Sequence, residues 1–346
     1  MATFGSGNFN RRKLNTGLSA EFERLLVGQP GVAKQMLPFV EMYDAGLSPE
    51  NRPAGVFLLL GPTGTGKTRT VEALAESLHG SARNLLRIDC GEYQMDHEVA
   101  KLVGAPPGYL GHRETQPLLS QARINSVASD RSSLSIILFD EIEKAAPSML
   151  RMLLGILDRG ILRLGDNNLA NLERTMIFLT SNLGAENMQK ELVPTMGFAA
   201  VTAKNSESPG IKRLESIGLA AARKKFSPEF MNRIDACIAY SPLDAKALAR
   251  ILDLQIDLIQ SHIDHRLGAR SFDLELSTKL KRYLLDKGTS LRYGARELKR
   301  TIHRLVLQPL AAVINDGQVP PGALVDLDVR NGEKIQIRVR ALDDDA

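Results

Sequence analysis

The chain has 346 residues, of which 43% are hydrophobic and 24% charged; such proportions exclude disordered and fibrous classes and predict one large domain or two of ordinary size. A net charge of +4, no Trp and 5% aromatics disfavour nucleic acid as a partner and a base-stacking surface. No run nears the ~18 apolar residues of a membrane span, the N-terminus lacks the apolar stretch of a signal peptide, and Cys90 and Cys237 suffice for neither a disulfide framework nor a metal set, so a cytoplasmic protein without a membrane partner is expected.

Residues 1–20 are rich in Gly, Asn and Ser and carry Arg11-Arg12-Lys13, and 1–24 are expected to form a flexible basic arm. From 25 to 240, apolar strands alternate with amphipathic helices. Gly55–Leu60 is a continuous apolar run, as in a strand buried on both faces. Val71, Leu74, Ala75 and Leu78 then fall on one helix face. Leu85–Cys90, Ser135–Phe139, Thr175–Thr180 and Asp235–Tyr240 are further strands, and Met149, Met152, Leu153, Ile156 and Leu157 mark another helix. The alternation predicts an α/β domain, a parallel sheet covered by helices. Ala199–Gly210 reads as a flexible loop.

After Pro242 the pattern changes. Leu248, Ile251, Leu252, Leu258, Ile259 and Ile263 have helical spacing, and Ala295–Ile314 reads as a second long helix. Val325, Leu327 and Val329 alternate with polar residues, as do Ile335, Ile337 and Val339 after Asn331-Gly332, which predicts a hairpin. Residues 241–340 are therefore expected to form a smaller, mostly helical domain ending in that hairpin, followed by an acidic tail, 341–346.

Gly61-Pro62-Thr63-Gly64-Thr65-Gly66-Lys67-Thr68, between a buried strand and a helix, fits the phosphate-loop pattern G-x-x-x-x-G-K-[ST]. Glycines let such a loop wrap phosphates with its N–H groups turned inward, helped by the positive end of the helix. Lys67 would reach the β- and γ-phosphates and Thr68 would ligate Mg²⁺; Arg69 follows on the same helix. No Asn-Lys-x-Asp guanine signature occurs, which favours ATP. Ile136–Phe139 ends in Asp140-Glu141, placing two carboxylates at the C-terminal end of a central strand. Asp140 would hold the Mg²⁺ shell and Glu141 would polarise the attacking water; the alternative is a solvated pair capping the next helix.

These strings, with Leu179-Thr180-Ser181-Asn182-Leu183-Gly184, Phe226–Asp235 and Tyr293–Arg300, resemble the Clp-family AAA+ ATPases, in particular the second ATPase ring of ClpA, ClpB and ClpC. The likeness runs from about Val27 to Val329. It implies an ATP- and Mg²⁺-dependent hexamer. Asn182 would orient the attacking water, the role of sensor 1, or else be a turn residue. Arg233 would be the arginine finger reaching a neighbour's nucleotide, or a surface ion-pair partner. Arg296 would be sensor 2, or a helix-surface arginine. Val27 and Gly28 match the segment that packs around adenine.

In the family, a mobile loop like Gly108-Tyr109-Leu110-Gly111 lines the hexamer's pore and grips polypeptide through its aromatic residue; the plainer alternative is a turn with Tyr109 packed locally. A second inner loop is expected near Gly160–Glu173. Met196-Gly197-Phe198 fits the tripeptide by which some relatives dock a ClpP-like peptidase; local packing of Phe198 is the alternative. No first ATPase ring or coiled-coil insert accompanies these motifs, so a single-ring machine or a fragment of a larger one is expected. The resemblance thus implies an unfoldase or remodelling chaperone acting on unfolded or tagged polypeptides. Alternatives are the ATPase of a ClpP-like protease and a non-threading switch or assembly scaffold.

Overall fold

A run of six apolar residues has no polar face to offer solvent, and Gly55–Leu60 accordingly forms a strand (β1) buried along its whole length. A computed structural model describes residues 17–104, 117–192, 211–290, 294–330 and 334–340. It divides into two compact units, Met1–Pro62 with Gly66–Ser241, and Thr63–Thr65 with Pro242–Ala346.

In the first unit a helix over residues 17–25 (α1) and Val32–Asp44 (α2) precede β1. Lys67–His79 (α3), Leu86–Asp89 (β2), Ala100–Val103 (α4), Gln121–Ser126 (α5) and Ser135–Asp140 (β3) follow. Next come Pro147–Arg159 (α6), Ile161–Arg163 (β4), Leu169–Asn171 (β5), Thr175–Ser181 (β6) and Ala185–Leu192 (α7). Ile211–Lys225 (α8), Pro228–Met231 (α9) and Ala236–Ala239 (β7) complete it. The main sheet runs β2-β3-β6-β1-β7, all parallel.

Alternation along these strands divides the core into two layers. Val56, Leu58, Ile137, Phe139, Ile177 and Leu179 pack on one face. Phe57, Leu59, Ile136, Leu138, Met176 and Phe178 pack on the other, where the Phe57 and Phe178 rings stack at 5.1 Å. Both faces are covered, so the period-2 signal in the sequence is replaced by unbroken apolar runs.

One local expectation is corrected. The stretch read as an arm through residue 24 is helical from residue 17, and Phe22 is fully buried against the α2–β1 layer. Leu18, Phe22, Leu25 and Leu26 stand at helical spacing and pack together in that layer, a short apolar stripe that outweighs the polar composition of the residues before it. The segment expected to be an inner loop near Gly160–Glu173 contains an antiparallel pair, with Ile161 opposite Asn171 and Arg163 opposite Leu169. Leu162, Leu164, Ala170 and Leu172 are its buried residues and anchor it to the core.

The second unit comprises Ala245–Leu267 (α10), Asp273–Leu276 (β8), Thr278–Gly288 (α11), Ala295–Ile302 (α12), Gln308–Asn315 (α13), Leu324–Arg330 (β9) and Lys334–Arg340 (β10). Asp244 caps α10 by accepting the Ala247 N–H, and Ser277 caps α11 through Leu280 N–H. The helix expected over Ala295–Ile314 is interrupted by a π-helical stretch, His303–Leu307, just before Pro309, whose ring nitrogen cannot donate to the helical ladder. β9 and β10 pair antiparallel with Arg330 opposite Lys334; the Asn331-Gly332 turn lies outside the described residues. Sequence patterning missed β8, a four-residue strand that adds parallel to β9. No helix among the described residues is long and apolar enough to cross a membrane.

Candidate nucleotide site

The phosphate loop leaves the C-terminal end of β1. Gly61 has φ 150°, and a Cβ there would stand 2.9 Å from the Tyr240 carbonyl oxygen, so this position admits glycine alone. Gly66 is left-handed at φ 106° and begins α3 without a side-chain cap. Glycine at the N-cap offers no side chain to cap the first N–H groups of that helix, an arrangement suited to phosphate oxygens. The turn is secured from below: Thr70 Oγ1 donates to Gly66 O at 3.0 Å, and the fully buried Tyr240 hydroxyl donates to Thr70 Oγ1 at 2.8 Å.

Lys67, the first residue of α3, is buried. Its Nζ donates to Gly61 O at 2.6 Å, Pro62 O at 2.9 Å and Asn182 Oδ1 at 3.0 Å. Asn182 follows β6 and also donates through Nδ2 to Glu141 Oε1 at 3.4 Å, while its N–H donates to Glu143 Oε1 at 3.0 Å. Parallel pairing of β1, β6 and β3 brings their C-terminal ends side by side, and Lys67, Asn182, Asp140 and Glu141 meet there.

The carboxylates are individually held. Asp140 is buried, accepts from Thr180 Oγ1, and pairs with Arg87 at 2.6 Å. Glu141 adopts a left-handed backbone at φ 57°, uncommon outside glycine, and its N–H donates to Thr180 Oγ1 at 3.0 Å. Its carboxylate also pairs with Lys144, which holds the Lys144 ammonium pKa above its ordinary value. Cys90 lies beneath this end of the sheet; burial pushes its thiol pKa up, reinforced by Asp89, Asp140, Glu143 and Glu141.

Mg²⁺ is ordinarily held by one or two protein oxygens together with phosphate and water. Thr68 and Asp140 are oxygens of that kind beside the loop. No group of three or more His, Cys, Asp or Glu among the described residues is arranged to hold a metal alone. Thr68 and Asp140 would be the protein oxygens for a cation bound through a nucleotide.

The remaining sequence candidates are spread more widely. Arg69 lies on α3 paired with Glu76 at 3.0 Å and Glu72 at 3.6 Å. Gly28 is left-handed, and next to it Gln29 clasps the backbone of Ser241, donating to its carbonyl at 2.7 Å and accepting its N–H at 3.2 Å. Val27 and Gly28 are thereby tied to the end of the last sheet strand. Arg233 follows α9, whose Ser227 cap accepts the Phe230 N–H, and pairs with Asp158 at 2.8 Å. Arg296 is exposed in the first turn of α12, within the second unit. Gly108, Tyr109, Leu110, Gly111, Met196, Gly197 and Phe198 lie outside the described residues.

Sequence patterning missed Arg87, Lys144, Asp158 and Thr180. Lys144 stands three residues after Glu141, within reach along one helical turn. The others depend on which strands and helices are neighbours, information that no local spacing carries.

Residues 52–237 match the family described as AAA domain (Cdc48 subfamily), and residues 243–327 match the C-terminal, D2-small domain, of ClpB protein. The chain belongs to the AAA domain family. It is 37% identical over 320 residues to the chaperone protein ClpB of Aquifex aeolicus, covering 92% of this chain and 30% of that one. It is 33% identical over 324 residues to the chloroplastic chaperone protein ClpD1 of Oryza sativa subsp. japonica, covering 94% of this chain and 33% of that one. The chain spans about a third of the length of the curated relatives it matches. Its fold is similar to that of Hsp104 in a closed-state cryo-EM reconstruction with ATPγS and FITC casein, at a TM-score of 0.77 and 27% identity, covering 96% of this chain and 52% of that one.

Proposed function

We propose that the chain is an ATP-hydrolysing protein remodeller whose subunits act together in a ring. The observation that carries this reading is the convergence of Lys67, Asn182, Asp140 and Glu141 at the ends of adjacent strands beside an uncapped helix N-terminus. Lys67 would neutralise the β- and γ-phosphates, and Mg²⁺ held through Thr68 and Asp140 would offset charge on the transferring phosphoryl group. Glu141 would accept the proton of a water that Asn182 orients. Val27 and Gly28 would border the adenine, with Pro62–Thr68 and Arg69 around the phosphates.

Arg233 would complete a neighbouring subunit's site, since a permanently charged planar donor suits charge spread over phosphoryl oxygens. Arg296 would sense the nucleotide from the smaller domain. The likeness to the ClpB relatives and to Hsp104 with casein supports a polypeptide substrate. Tyr109, flanked by Gly108 and Gly111, would grip it without reading its sequence.

The test is ATP-dependent unfolding of a stable fluorescent protein carrying a disordered tail. The unaltered chain should hydrolyse ATP and extinguish the fluorescence. Lys67→Ala should lose nucleotide binding, and Glu141→Gln should bind ATP without turning it over. Near-normal turnover by Glu141→Gln would sink its assignment as the base.

A further inference from the structure

β6 contributes a group to this site besides Asn182. Thr180 is almost wholly buried, one step beyond the Phe139–Leu179 pairing of β3 with β6. Its single hydroxyl serves two functions. The O–H donates to Asp140 Oδ1, and the oxygen accepts the Glu141 N–H at 3.0 Å. Asp140 and Glu141 are the residues assigned to the metal shell and to proton transfer. One side chain therefore fixes the rotamer of the first and the backbone of the second.

The backbone it holds is the unusual one. Glu141 sits at φ 57°, a conformation that costs a non-glycine residue energy and persists only where its surroundings impose it. The Glu141 carboxylate is aimed by this turn: Asn182 Nδ2 approaches Oε1 at 3.4 Å, and Lys144 takes the other oxygen. Were the Glu141 N–H released, the turn could relax toward an ordinary conformation and swing the carboxylate away. The other Asp140 oxygen is held independently by Arg87 at 2.6 Å, so Asp140 would keep one anchor, whereas the Glu141 N–H would lose its bond to Thr180 Oγ1.

We propose that Thr180 is a positioning residue for ATP hydrolysis, locking the Asp140-Glu141 turn into its reactive geometry from the neighbouring strand. The role rests on the ATPase reading above. It acts through its hydrogen bonds to Asp140 and to the Glu141 backbone.

The test uses the full chain and compares Thr180→Val with Thr180→Ser. Valine matches threonine in shape and strand preference but carries no hydroxyl; serine keeps the hydroxyl and drops the methyl. Turnover is measured against ATP and against Mg²⁺, alongside affinity for a fluorescent ATP analogue and the melting temperature. Thr180→Val should lose about tenfold or more in kcat, as expected when a general base is misaligned, with analogue affinity changed far less. Thr180→Ser should recover most of that loss. Wild-type turnover by Thr180→Val overturns the proposal. So does equal loss in the two variants, or a Thr180→Val protein whose analogue affinity and melting temperature collapse along with kcat, since the role is then structural. If the unaltered chain hydrolyses no ATP, the ATPase reading fails and takes this one with it; an active chain beside an equally active Thr180→Val refutes this one alone.

Discussion

Asn182 stands between Lys67 and Glu141: its Oδ1 accepts from Lys67 Nζ at 3.0 Å and its Nδ2 donates to Glu141 Oε1 at 3.4 Å. One amide thus faces the cation assigned to the phosphates and the carboxylate assigned to the water. Neither Lys67 nor Glu141 can shift without altering what Asn182 offers the other.

Asn182→Ala should therefore lower kcat by about tenfold to a hundredfold, the scale of a misplaced acid–base partner, while nucleotide affinity falls much less because the Lys67 contacts to Gly61 and Pro62 persist. Asn182→Asp should be at least as damaging, since it sets a second negative charge against Glu141. Steady-state turnover and equilibrium binding of a fluorescent nucleotide separate the two effects. Loss of affinity in proportion to turnover would make Asn182 a binding group only.

The strand-to-helix setting of the phosphate loop and the place of Asp140-Glu141 at the end of a buried strand were legible in the sequence, because an apolar run followed by glycines or by acids is a local signal. Such signals survive without tertiary information. Asn182 was legible only through family resemblance, since an asparagine after a strand is otherwise an ordinary turn residue. Thr180, Arg87 and Asp158 were not legible. Their partners are 39 to 75 positions away and are met only through strand order and helix packing. The same limit hid β8, four residues long, whereas the helix carrying Phe22 has a local signal in Leu18, Phe22, Leu25 and Leu26 that the polar composition of the preceding residues masked.

Arg233 pairs with Asp158 of its own chain at 2.8 Å, with side chains 37% and 40% exposed. An exposed pair of this kind is worth only about 0–1 kcal/mol, so it can yield to a stronger anion without threatening the fold. Arg233→Ala should abolish most turnover yet shift unfolding free energy by no more than ~1 kcal/mol. Mixing Arg233→Ala with Glu141→Gln subunits should restore part of the activity at mixed interfaces, and Asp158→Asn alone should retain turnover. Turnover rates across mixing ratios, with denaturant unfolding of each variant, provide the check. An activity independent of protein concentration and unrestored by mixing would refute action between subunits.

Phe22 offers a test of where the folded domain begins. Its ring is fully buried in the layer formed by Met36, Val40, Phe57 and Leu59. Truncating such a ring removes its transfer free energy and leaves a cavity, so Phe22→Ala should cost about 3–5 kcal/mol. The urea midpoint should fall at nearly constant slope. A change below ~0.5 kcal/mol, ordinary for a surface substitution, would restore the reading of this stretch as an arm.

The two cysteines supply a test of pH dependence. Burial raises the Cys90 thiol pKa beyond the usual range, and Asp89, Asp140, Glu143 and Glu141 add to it. Burial pushes Cys237 up to about 11, with Glu215 adding to the shift and Arg223 opposing it. The thiolate is the reactive form, so native protein at pH 8 should react slowly with a disulfide reagent, and both thiols should titrate promptly in denaturant. The linkage has a definite sign. Above about pH 8.5 the unfolded chain releases these protons while the folded chain keeps them, so the unfolded state binds fewer protons and stability declines as pH rises. The contribution is intact below the unfolded pKa and is lost as pH climbs toward the raised values. Unfolding free energies between pH 8 and 11 should fall more steeply for the unaltered chain than for the Cys90→Ala, Cys237→Ala double variant. Parallel curves, or rapid labelling of both thiols in the native protein at pH 8, would contradict the burial that raises them.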